Sequence, residues 1–172
     1  MWAVLAWLQI LAAKNTDPAA PLVGVKEVCE AHWKEYGRNY YARYDYEGVD
    51  KAAAEKMMAA MVEAQPSLVG TTHGGMTIGE ADMFAYTDPV DGSVSKNQGV
   101  RFIFTDGSRF VFRLSGTGVA GATIRVYLEK YMPPDGDLAL HPFDVVKPLA
   151  EVALAFSELE KAVGRTAPDV IT

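Results

Sequence analysis

Two arginines, Arg113 and Arg125, bracket the run Leu114-Ser115-Gly116-Thr117-Gly118-Val119-Ala120-Gly121-Ala122-Thr123-Ile124, and residues of these types at this spacing can hold an anion. Glycine lets backbone N–H groups approach a ligand closely. The Ser115 and Thr117 hydroxyls add donors, and each guanidinium is a fork that matches two phosphate oxygens. Gly116, Gly118 and Gly121 also spell the G-x-G-x-x-G of a dinucleotide-binding turn. That turn needs a buried parallel strand before it and a helix after it. Neither flank complies. Upstream, Phe110, Phe112 and Leu114 alternate with Arg109, Arg113 and Ser115; downstream, Ile124, Val126 and Leu128 alternate with Arg125, Tyr127 and Glu129. A period of two on both sides marks two half-buried strands.

The same alternation puts Arg113 and Ser115 on one face of the first strand, and Thr123 and Arg125 on one face of the second. If the strands pair antiparallel, two arginines and at least two hydroxyls converge on one patch. An ordinary polar outer face is the alternative; the glycine and hydroxyl loop between the arginines favours an anion site, with phosphate the best match. Charge points the same way. From Ser95 to Lys130 six basic residues stand against two acidic ones, a local +4 in a chain whose formal charge is −6. A basic island on an acidic protein suits a small anion and argues against a nucleic-acid or membrane-surface binder.

Other candidates for chemistry are weaker. Cys29 is the only cysteine and sits in a helical pattern, so it is read as a small apolar residue in a reducing, cytoplasmic compartment. His32, His73 and His141 show no metal-ligand spacing. Asp135-Gly136-Asp137 follows Pro133-Pro134 and reads as a turn rather than a magnesium loop.

Helices and further strands must position the loop. Met1 to Ala13 is apolar all round, too short to span a bilayer and without a signal peptide's basic start. It is expected to be the last helix of a preceding domain, with Asn15–Leu22 as a linker. The boundary is therefore set at residues 1–20 for this helix and linker and 21–172 for the domain proper. Val25, Val28, Cys29, His32, Trp33 and Tyr36 mark one face of a helix that Gly37 ends. The tyrosine-rich run Gly37–Tyr46 is expected to be an aromatic connector packed against the sheet, with an arginine of this run near the ligand as the alternative. Asp50 caps a helix running to about Ala64. The sheet is expected to begin near Met76, with strands at Val100–Thr105 and on both sides of the loop, and Asp106-Gly107 as a tight hairpin. One last helix runs from Val145 to Val163 and stops at Gly164.

Asp88-Pro89-Val90-Asp91-Gly92-Ser93-Val94-Ser95-Lys96-Asn97-Gln98-Gly99, Phe104-Thr105-Asp106-Gly107-Ser108-Arg109, the Arg113–Arg125 loop and the ending Gly164-Arg165-Thr166-Ala167-Pro168-Asp169-Val170-Ile171-Thr172 resemble the C-terminal domain of the phosphoglucomutases, within the α-D-phosphohexomutase superfamily. Gly37–Tyr46 and Trp2–Leu8 share the likeness, which covers nearly the whole chain. The resemblance implies an α+β fold: an antiparallel sheet flanked by helices, preceded by one leftover helix of an α/β domain. It implies that Arg113, Ser115, Gly116, Thr117, Gly118 and Arg125 hold the non-reacting phosphate of a hexose phosphate. It also implies interconversion of glucose 1-phosphate and glucose 6-phosphate by the intact enzyme, with magnesium and glucose 1,6-bisphosphate as cofactors.

The family's phosphoserine, magnesium and sugar loops do not occur in these 172 residues. No catalytic residue and no cofactor is therefore assigned to this chain, which is expected to need the N-terminal domains of the same enzyme for turnover. A stand-alone phosphosugar-binding or interaction module is the alternative.

Overall fold

The computed structural model describes residues 1–116 and 121–172, and it divides into two compact units: residues 1–38 with 132–139, and residues 39–131 with 140–172.

The first unit is built on two helices, α1 (Trp2–Lys14) and α2 (Val25–Tyr36). None of the α1 side chains is buried, and Trp2, Val4, Leu5 and Leu8 are more than half exposed. Asn15 closes α1: its amide donates to Leu11 O at 2.8 Å and Val23 O at 3.0 Å while its oxygen accepts the Val23 N–H. The connection between the helices is thus fastened at both ends by one side chain. At the start of α2 the Glu27 carboxylate accepts the Gly24 N–H at 2.9 Å; its own backbone N–H and then that of Gly24 lower its pKa. Gly37 ends the helix at φ 82°. The Arg38 guanidinium lies 4.1 Å over the Trp33 ring and donates to Leu138 O.

The second unit is an antiparallel sheet with helices on one face, the α+β arrangement the sequence implies. Its strands are β1 (Arg38–Val49), β2 (Thr72–His73), β3 (Met76–Thr87), β4 (Val94–Phe104), β5 (Arg109–Gly116), β6 (Ala122–Met132) and β7 (Val170–Ile171), in the order β2-β3-β4-β5-β6-β1-β7. The helices are α3 (Lys51–Leu68), α4 (Pro142–Ser157) and α5 (Leu159–Val163).

Period-two alternation decides what each face buries. Phe102, Phe110, Phe112, Ile124 and Val126 are fully buried on the helix side, where Phe156 of α4 lies 5.7 Å from Phe102 and 6.2 Å from Phe110. From α3 come Ala54, Met57 and Met61. The residues between these on the strands, Arg101, Arg109, Arg113 and Arg125, leave the opposite face.

Three expectations are corrected. The tyrosine-rich run is a strand of the sheet, with Tyr40, Ala42 and Tyr46 buried on the helix side, rather than a connector. Its aromatic residues read as packing material, but their alternation with Arg43, Asp45 and Glu47 is a strand's. Helix α3 continues one turn past Ala64 to Leu68 and carries Pro66 within that last turn. The last helix is two: Glu158 takes a left-handed conformation at φ 45° and separates α4 from α5, which Gly164 ends as expected. The Asp106-Gly107 hairpin forms, with the Gly107 N–H on Phe104 O at 2.9 Å.

Candidate phosphate-binding site

Strands β5 and β6 pair antiparallel with Arg113 directly opposite Arg125, Ser115 opposite Thr123 and Gly116 opposite Ala122. Two guanidiniums and two hydroxyls therefore leave one face at the end of the hairpin where the chain turns. Thr117 and Gly118 lie outside the described residues. The two described ends of the loop, Gly116 and Gly121, lie beside Gly48–Lys51, the turn into α3. A Cβ at Gly121, whose φ is 90°, would meet Gly48 C and Val49 O at 3.1 Å, so backbone packs on backbone there and any side chain would be strained. At the other end of the loop a Cβ on Gly116 would come within 4.0 Å of Lys51 Cε. Lys51 opens α3, whose first turn is closed by the Asp50 carboxylate accepting the Ala53 N–H at 2.8 Å.

The arginines of this open face differ in their counterions. Arg101 grips Asp82 with two hydrogen bonds of 2.9 and 2.7 Å, which raises the guanidinium pKa further, and lies 4.6 Å over the Phe84 ring. Arg109 pairs with Glu129 across β5 and β6. Arg43 donates its Nε–H to Asp45 Oδ1 at 2.9 Å. Arg125 Nε stands 3.8 Å from Asp45 Oδ2. Arg113 is the exception: it is exposed, it meets only the neutral Gln98 Oε1, at 3.3 Å, and it has no carboxylate partner among the described residues. A groove of 690 Å³ runs along this face, lined by Arg113, Arg109, Arg101, Tyr41, Phe84 and Tyr127 among others.

Backbone packing fixes where Arg113 starts from. A Cβ at Gly99 of β4 would sit 2.6 Å from Val111 Cγ1, 3.0 Å from Phe112 O and 3.1 Å from Arg113 Cγ, so β4 and β5 approach each other too closely there for any larger residue. Gln98 precedes this glycine and reaches Arg113 from the adjacent strand.

Residues 38–169 match the family model described as "Phosphoglucomutase-1, C-terminal domain". The chain belongs to the phosphoglucomutase family. It is 50% identical to the cytoplasmic phosphoglucomutase of Bromus inermis over 181 residues, covering all of this chain and 31% of that protein. To the chloroplastic phosphoglucomutase of Arabidopsis thaliana it is 49% identical, again over its whole length and over 28% of the relative. A crystal structure of the exocytosis-sensitive phosphoprotein pp63/parafusin, a phosphoglucomutase from Paramecium, in its open form, superposes with a TM-score of 0.86 at 46% identity, over 99% of this chain and 29% of that one.

The chain thus spans about a third of the length of the phosphoglucomutases it matches, and it matches their C-terminal domain rather than a stand-alone non-catalytic phosphosugar-binding or interaction module. Of the site residues expected for a phosphoglucomutase, the structure brings Arg113, Ser115, Gly116 and Arg125 together. Sequence reasoning missed Asp45, Gln98 and Lys51, which surround them. The alternation of Arg43, Asp45 and Glu47 with Tyr40, Ala42, Tyr44 and Tyr46 was the available signal for Asp45, since it marks a strand whose polar side shares the arginines' face.

Proposed function

We propose that this chain supplies the phosphate clamp of a phosphoglucomutase, holding the non-reacting phosphate of a hexose phosphate while the other end of the sugar is turned over by domains outside the chain. Arg113 and Arg125 are the two forks, Ser115 and Thr117 the hydroxyl donors, and Gly116 and Gly118 the positions where backbone N–H groups approach the phosphate. The observation that carries this reading is the exposed Arg113 directly opposite Arg125 at the mouth of the loop, with no carboxylate among the described residues to neutralise Arg113.

The intact enzyme interconverts glucose 1-phosphate and glucose 6-phosphate, with magnesium and glucose 1,6-bisphosphate as its cofactors. Among the described residues no three carboxylate, histidine or cysteine side chains gather as a metal site requires. Positioning is what a clamp contributes to phosphoryl transfer; the nucleophile and charge neutralisation come from elsewhere. Residues 1–20 are then the closing helix and linker of the domain before this one, and the protein works in the cytoplasm, as the name of the Bromus relative reads.

Titration of the 172-residue chain with glucose 6-phosphate tests the reading. One clamp without its neighbouring domains gives an affinity in the millimolar range, on the order of −4 kcal/mol, and no mutase turnover. Arg113→Ala and Arg125→Ala each weaken binding while the circular dichroism spectrum stays unchanged. Equal binding by the parent and both variants refutes the assignment.

A further inference from the structure

We infer that Asp45 is a positioning residue for the clamp: it anchors the Nε edge of Arg125 so that the Nη edge is presented to phosphate. The inference rests on the clamp reading above and names a residue outside the loop. Asp45 is 3% exposed, which makes it the one buried carboxylate among the described residues of this sheet. Its Oδ1 accepts the Nε–H of Arg43 at 2.9 Å, and its Oδ2 lies 3.8 Å from Arg125 Nε. That second distance is an ion pair and too long for a hydrogen bond.

Arg125 Nε is itself buried and has no hydrogen-bond partner among the described residues, although its side chain as a whole is 41% exposed. One edge of the guanidinium therefore faces a buried carboxylate and the other faces solvent. Closing the 3.8 Å gap satisfies the Nε–H and leaves a fork aimed outward.

Asp45 can hold this post because its strand is fixed from the far side. Asp45 pairs with Val170 of β7, and its carbonyl accepts the Asp169 N–H at 2.8 Å. The Asp169 carboxylate accepts the Glu47 N–H at 2.7 Å and pairs with Arg165, which also donates to Glu47 O. These bonds fix Asp45 and Glu47 along the β7 edge of β1, whose other neighbour in the sheet is β6.

The sign of one substitution separates orientation from plain electrostatics. A carboxylate beside an anion site repels the anion, so Asp45→Asn raises affinity if charge is all that matters. If Asp45 orients Arg125, the same change lowers affinity, by about tenfold, despite the added positive charge. The test is a double-mutant cycle on the full chain, with Asp45→Asn, Arg125→Ala and the pair, titrated with glucose 6-phosphate and inorganic phosphate and followed by 31P NMR. Expected is a loss in Asp45→Asn that vanishes in the Arg125→Ala background.

Unchanged or tighter binding in Asp45→Asn, with Arg125→Ala still weakened, overturns the inference and leaves the clamp reading standing. Unchanged binding in Arg125→Ala overturns the clamp assignment of Arg125, and the inference with it. Should Asp45→Asn fail to fold, the parent chain decides: the Arg125 Nε–H resonance is expected to exchange with water at least about tenfold more slowly than that of Arg113. Equal exchange at the two arginines overturns the proposal.

Discussion

The two faces of the sheet are made by the same strands and obey opposite rules. On the helix side, Phe102, Phe110 and Phe112 pack in a chain, tilted and then edge-to-face, with ring centroids 5.0 and 5.8 Å apart, and every one of them is fully buried. On the other side the intervening residues are arginines held in a row by Asp82, Glu129 and Asp45, with Arg113 left facing a neutral amide. Neighbours in sequence such as Phe112 and Arg113 therefore belong to different energetic problems. The first face is stabilised by apolar area and dispersion, the second is poised for an anion, and a one-residue register slip would exchange them.

The largest expected effect comes from breaking the apolar face. Phe110→Ala removes the ring shared by Phe102, Phe104, Phe112 and Phe156, and is expected to cost about 3–5 kcal/mol in urea denaturation. A loss under about 1 kcal/mol would mean the ring cluster is not the core of this sheet. Gly99→Ala tests where the faces meet: a methyl 2.6 Å from Val111 Cγ1 and 3.1 Å from Arg113 Cγ must push β4 from β5. It is expected to destabilise by about 1–3 kcal/mol and also to weaken sugar-phosphate binding, so both readouts move together.

Arg113→Ala is expected to separate them, with binding weakened about tenfold, some 1.4 kcal/mol, and the urea midpoint unmoved. Asp82→Asn sharpens the contrast among the arginines. Its pair with Arg101 is partly exposed, so stability falls by at most about 1 kcal/mol and phosphate affinity stays the same. A drop in affinity there would make Arg101 a third fork.

The smallest effect is one of pH. Burial pushes the Asp106 carboxyl up, but hydrogen bonds from the Ser108 hydroxyl and N–H, with Lys130 nearby, more than offset it and hold the pKa below the usual aspartate value. A carboxyl depressed on folding contributes stability that is complete above the unfolded value and is lost as pH falls through the folded one. Stability is therefore expected to fall below about pH 4, and less steeply in Asp106→Asn; identical slopes would remove Asp106 from the account.

What could be read from the sequence was what local pattern encodes. Arg113 and Arg125 converge because period-two alternation on both sides of a short loop leaves antiparallel pairing one outcome. Asp45 could not be found that way. Its role depends on β1 lying beside β6, a neighbour relation between segments far apart in the chain, and on a buried position that a lone aspartate does not announce. Glu158 likewise carries no glycine signal for the left-handed turn that splits α4 from α5. The tyrosines of β1 misled because each is apolar enough to pack and polar enough to face water.

The sheet order has one more consequence, for solubility. Its outermost strands, β2 and β7, are two residues long. A strand that short offers an incoming chain almost no ladder to extend, so the long hydrogen-bonding rows of β3 and β1 are partly shielded from edge-to-edge growth. Loosening Asp169 from Glu47 would expose more than a carboxylate's partner. It would bare one rim of the sheet, and self-association would be the first symptom.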